Sequence, residues 1–172
     1  ITGREACRRY LLNGTDFFGN PSVSMIRSEI VRSTDRFYDE DTVSPDVDVC
    51  FRVLKNHDFG FVHQVLTYTR RYNDSIMSVL TKFNHKLLTD LFVFLRYGDY
   101  YLEKPEYDQQ RREIEAKYEK SIGESVLHRM PQQYWQFHKE TLSVVGFKIG
   151  KRKMLWCLIK TLADLALNPK HT

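Results

Sequence analysis

The chain has 172 residues, of which 42% are apolar, 28% charged and 13% aromatic, enough for one packed domain or two small ones and unlike a disordered or fibrous chain. The net charge of +4 is uneven: residues 1–82 hold 11 Lys/Arg and 11 Asp/Glu, residues 83–172 hold 15 and 11. An anionic partner would therefore meet the second half. The basic residues are diluted by acids and carry no nucleic-acid motif, and no apolar run is long enough to span a bilayer.

Cys7, Cys50 and Cys157 are far apart, odd in number and without metal-ligand spacing. They read as reduced thiols of a cytoplasmic protein, with Cys50 and Cys157 inside apolar runs and buried. No signal or transit peptide is visible, and the chain opens on Ile1, which suggests a piece of a longer protein.

In chain order, residues 3–13 suit a short helix, and Gly14, Gly19, Asn20 and Pro21 then break the chain. Val23 to Arg27 suits a short strand, succeeded by a helical turn near Glu29-Ile30-Val31. Tyr38-Asp39-Glu40-Asp41 is an acidic loop. Ser44 can cap a helix whose first position is Pro45, because proline there loses no needed hydrogen bond. Val47, Cys50, Phe51 and Leu54 then share one face, and Asn56-His57-Asp58 ends the helix. Phe59 to Tyr68 is rich in aromatic and β-branched residues and predicts a strand, with His63 as a core histidine.

From Ser75 the pattern becomes helical. Ile76, Leu80, Phe83, Leu87, Leu88, Leu91, Phe92 and Leu95 keep a 3.6-residue period. Pro105 opens a charged helix with Arg111, Arg112, Glu113, Glu115, Lys117, Glu119 and Lys120 spaced for pairing. Two more helical segments cover 132–147 and 151–167. The expected division is 1–78 and 79–172.

Asp46-Val47-Asp48 with Arg52 is the constellation that suggests chemistry. Asp46 falls at the second helical position, where the helix dipole favours an ionised carboxylate, and Asp48 and Arg52 are four apart and can pair along the helix. Taken alone, an aspartate at such a place is more often a solvated carboxylate that stabilises the helix start. The motif comes after a Ser-Pro break and runs straight into an amphipathic helix.

In ordered company, residues 16–78 resemble the second half of a family 2 glycosyltransferase catalytic domain of the GT-A fold. The resemblance rests on Val23 to Arg27, Phe37 to Asp41, Asp46-Val47-Asp48 with Arg52, Phe59 to Tyr68, and Arg70-Arg71-Tyr72 with Ser75-Ile76-Met77-Ser78. Pro45 stands where the family commonly has Glu or Thr, and Tyr72 where many relatives have a histidine near the metal, so no metal ligand is assigned here.

The resemblance implies an α/β fragment of a Rossmann-like nucleotide-diphospho-sugar transferase fold, with a mainly helical C-terminal region after it. It implies an inverting transfer from a nucleotide-diphosphate sugar to a hydroxyl of a glycan or lipid-linked acceptor, in polysaccharide or cell-surface glycan biosynthesis. Asp46 is then the general base, supported by Asp48 and Arg52. Arg70 and Arg71 could meet the donor diphosphate, and Asp39 and Glu40 the acceptor, although a solvated basic turn and a plain acidic loop explain them as well.

A divalent cation, Mn or Mg, belongs to the full-length enzyme, its Asp-x-Asp ligands lying outside this chain, so this piece alone is expected to be inactive. Gln132-Gln133-Tyr134-Trp135 lacks the arginine of the processive synthases' Gln-x-x-Arg-Trp signature, which favours single-sugar addition.

Lys148, Lys151, Arg152 and Lys153 precede Met154-Leu155-Trp156-Cys157-Leu158-Ile159, and Leu162, Leu165 and Leu167 follow. Residues 148–167 thus have what an interfacial helix would carry, although such a stripe is more often core, here packed on the helix of residues 76–96. The expected location is cytoplasmic, peripheral at the inner face of the cell membrane. The alternative to an enzyme is a non-enzymatic helical interaction or membrane-docking module.

Overall fold

The computed structural model describes residues 1–14, 18–19, 21–39, 42–68 and 83–167. Of the described residues 65% are helical, and none lies in a strand or sheet. The helices are α1 (Gly3–Asn13), α2 (Ser28–Arg32), α3 (Pro45–Val53), α4 (His85–Tyr101), α5 (Lys104–Leu127), α6 (Gln132–Ser143) and α7 (Lys151–Leu167).

This overturns the α/β expectation and with it the Rossmann-like GT-A fragment. Val23 to Arg27 holds no strand, and Phe59 to Tyr68 is irregular chain with a bend at Gln64 and no ladder with described residues. The physical reason is the missing partner. Strand propensity is a preference for a pleated, half-buried surface and yields a sheet only where neighbouring strands complete the hydrogen bonding. Phe59 N–H donates to the Ile1 carbonyl at 2.9 Å. Beyond it, Gly60–Tyr68 make no backbone hydrogen bond with described residues, and Phe61, Val62, Val65, Leu66 and Tyr68 are exposed. His63 is exposed for the same reason, not a core histidine.

The expected boundary near residues 75–82 lies outside the described residues. By compactness the chain divides into Ile1–Tyr107 and Asp108–Thr172. In the first unit, α1 begins at Thr2, whose hydroxyl accepts the Glu5 N–H at 3.2 Å, and ends at Gly14. Gly14 is left-handed (φ 62°), a conformation that costs glycine little, and its N–H closes on the Tyr10 carbonyl.

Helices α1 and α3 both pack on α4. Their shared core is aromatic: Phe51 stacks on Tyr97 at 5.0 Å, and Tyr10 and Tyr101 meet its ring edge-on at 5.3 and 5.5 Å. Tyr101 donates to the Phe51 carbonyl. A nine-residue helix such as α3 is marginal in isolation, so this packing is what holds it.

In the second unit, Ile114, Tyr118 and Ile122 of α5 and Tyr134, His138 and Leu142 of α6 are buried with Cys157 and Thr161 of α7. His138 Nδ1 meets the Tyr118 hydroxyl, its ring stacks on Tyr134 at 4.1 Å, and Ser125 donates to the Tyr134 hydroxyl. The buried histidine is thus satisfied by its neighbours.

Helices α5 and α7 approach closely at Gly123. A Cβ there would stand 2.0 Å from Thr161 Oγ1 and 2.5 Å from the Cys157 carbonyl oxygen. A backbone atom cannot rotate away, so Gly123→Ala should cost about 1–3 kcal/mol. Urea unfolding is expected to show the lowered midpoint; an unchanged midpoint would contradict this close approach.

Candidate functional site

Pro45 takes the first position of α3, as its fixed φ allows, but Ser44 makes no side-chain cap. The Ser44 hydroxyl instead meets Thr89 Oγ1 of α4 at 3.2 Å, and His85 Nε2 meets the Val43 carbonyl at 2.9 Å. The start of α3 is therefore fastened to the first turns of α4.

One turn further in, Asp48 is 1% exposed. Its Oδ2 accepts from Arg52 Nε at 2.9 Å, the i,i+4 pair expected from the spacing. Its Oδ1 accepts from the Tyr97 hydroxyl at 2.6 Å and lies 3.3 Å from an Arg96 guanidinium nitrogen. Arg96 continues to Asp39 at 3.5 Å, and Arg52 donates to the Phe37 carbonyl. Two carboxylates and two guanidinium groups thus form a charge-balanced cluster that joins α3, α4 and the loop before α3. Burying a carboxylate is costly unless charge and hydrogen bonds compensate it, and here both do.

Asp46 has a different setting. It is half-buried in the first turn of α3, its Oδ1 accepts the Val47 N–H at 3.0 Å, and it makes no ion pair with a described residue. The structure thus brings Asp39, Asp48 and Arg52 into one cluster, with Asp46 beside it in sequence and outside its ion pairs. Glu40, Arg70, Arg71 and Tyr72 lie outside the described residues.

Sequence reasoning missed Arg96, Tyr97 and Thr89. The one available signal was an arginine set in the apolar run of α4.

An open cavity of about 880 Å³ lies at the other end of α3. Cys50, Val53 and Leu54 line it together with the stretches near Met25 and Phe61, and Asp46 does not. Cys50 is half-buried there, not buried as expected, whereas Cys7 and Cys157 are buried. Burial pushes the Cys7 thiol up to about 12.

Among the described residues no three His, Cys, Asp or Glu side chains converge to hold a metal ion. The resemblance puts the ligands of its divalent cation outside this chain, and no step is derived through that cation. Comparison with protein-family models, curated proteins and solved structures gives no match.

Burial, then donation to Asp48 and the Asp48 charge, raise the Tyr97 phenol well above its ordinary value, and burial does the same to Tyr101 and Tyr118. The folded state thus keeps protons that the unfolded chain releases, so stability is full below about pH 10, where an ordinary phenol ionises, and falls as pH rises. Tyrosinate absorbance should show these phenols ionising only together with unfolding, and Tyr97→Phe should shrink that late step. A single ordinary titration of all the tyrosines in the folded protein would contradict the burial assigned here.

Proposed function

We propose that the chain is the acceptor-side part of an inverting transferase that moves a sugar from a nucleotide-diphosphate donor to a hydroxyl of a glycan or lipid-linked acceptor. The reading no longer draws on a Rossmann-like sheet. Its support is the acidic motif Asp46-Val47-Asp48 with Arg52 and, above all, the contrast between two aspartates two residues apart. Asp48 is consumed by structure, with Tyr97, Arg52 and Arg96 on its two oxygens. Asp46 sits half-exposed on the turn that this cluster fixes, without a cation among the described residues to occupy it. A carboxylate held in place and left unpaired is what a general base requires.

In the proposed step, Asp46 takes the proton of the acceptor hydroxyl as that oxygen bonds to the anomeric carbon. The bond from that carbon to the diphosphate oxygen breaks, the nucleoside diphosphate leaves with the electron pair, and the configuration inverts. The donor-binding groups are proposed to come from outside this chain. No helix among the described residues is long and apolar enough to cross a membrane. A lipid-linked acceptor would therefore be met at a surface.

A non-catalytic helical interaction module is the second reading, favoured by the all-helical architecture.

The test is transfer from nucleotide-diphosphate sugars to hydroxyl acceptors by the longest gene product containing this chain. Asp46→Asn should lower turnover about 10²–10⁴-fold with donor KM and thermal unfolding unchanged. Near-wild-type turnover in the variant would remove Asp46 from the base role. No transfer by the parent protein would leave the interaction module.

A further inference from the structure

We infer that the outer face of α7 is a docking surface for an anionic lipid bilayer, a conclusion that stands independently of the role of Asp46. The helix is packed in an unusual sense. Its buried residues are Cys157 and Thr161, the pair that Gly123 of α5 approaches. An amphipathic helix ordinarily turns its large apolar residues inward. Here four of them are outside, Leu155 at 59% exposed, Trp156 at 55%, Ile159 at 50% and Leu162 at 47%, while Met154, Leu158 and Leu165 are half-buried.

Leu155, Ile159 and Leu162 are spaced i, i+4, i+7, which aligns them as one stripe with Trp156 at its flank, on the side away from Cys157 and Thr161. The outer stripe is thus a continuous apolar surface, not a scatter of single exposed side chains.

Charge selects the occupant. Lys148, Lys151 and Arg152 are exposed at the start of α7 and make no ion pair with described residues. The first turn of α7 contains no acid, so these cations stand at the positive end of the helix dipole, where only an external anion relieves them.

The other cations are already engaged. Lys153 and Lys160 pair with Glu119 at 3.5 and 3.1 Å, and Lys160 also lies 5.5 Å over the Trp156 ring. The one acid of α7, Asp164, faces Lys120 at 3.9 Å. An apolar stripe bordered by uncompensated cations and a tryptophan is the pattern of a helix lying in the headgroup boundary of an acidic membrane. A second copy docked by the same face would set these cations against one another and not against an anion. Nor does the helix cross: it has 17 residues, and no membrane-spanning helix is present among the described residues.

The experiment is co-sedimentation of the 172-residue chain with phosphatidylcholine vesicles with and without phosphatidylserine, alongside tryptophan fluorescence in a Trp135→Phe background that leaves Trp156 as the one emitter. The chain should pellet with the acidic vesicles, and its emission should shift to the blue. Added salt should weaken the binding. Replacing Lys148, Lys151 and Arg152 together by Gln should weaken it about 100-fold, at roughly fivefold for each cation. Leu155→Ser with Ile159→Ser and Leu162→Ser should abolish it while circular dichroism and a cooperative unfolding transition show that the chain still folds, because none of the three side chains is buried.

Equal recovery in the supernatant with both vesicle types would overturn the inference, as would binding that survives the serine variant. Lipid-free dimerisation abolished by the same serines would overturn it in favour of a second copy.

Discussion

The buried carboxylate of Asp48 is the constraint on which the first half of the molecule depends. Taking that charge out of water is expensive, and the cost is offset only while Tyr97, Arg52 and Arg96 all remain in place. Because the partners come from α3 itself and from α4, the cluster fixes which face of α3 turns inward. It also reaches the loop before α3 through Asp39 and the Phe37 carbonyl. The aromatic contacts of Phe51 with Tyr97 and Tyr101 supply the apolar side of the same joint. Tyr97 serves both, stacking with its ring and donating with its hydroxyl.

The cluster divides the labour between neighbouring residues. Asp48 is committed to structure, and its burial leaves no room for a proton-transfer partner. Asp46, two residues earlier, is held by the rigidity that Asp48 creates and stays half-exposed. An acidic pair at a helix start can thus contain one buried scaffold and one half-exposed carboxylate, the latter being the base of the proposed function, and sequence alone gives both the same letter. The cavity at the far end of α3 is apolar in its α3 lining and belongs to neither role.

Local rules were legible in the sequence wherever the deciding contact was local. Pro45 opening α3, Gly14 closing α1, the i,i+4 pair of Asp48 and Arg52, and the periodicity that yields α4 all depend on residues within a turn or two of each other. What failed depended on distant partners. The stretch Phe59–Tyr68 has the composition of a strand, but composition supplies no second strand, and among the described residues none pairs with it. Tyr97 and Arg96 lie almost fifty residues from Asp48, so no spacing pointed to them. The apolar stripe of α7 was visible, but its facing was not. Only the close approach at Gly123 shows that the small side of the helix is the inner one.

The central claim, that Asp48 and its partners act as one energetic unit joining α3 to α4, is tested most directly by a double-mutant cycle of Asp48→Asn and Arg96→Met read by urea unfolding. The account predicts that the two losses are not additive, with a favourable coupling of about 1–3 kcal/mol between the side chains. Additive losses, with a coupling near zero, would mean that the buried cluster does not hold the helices together, and would contradict it.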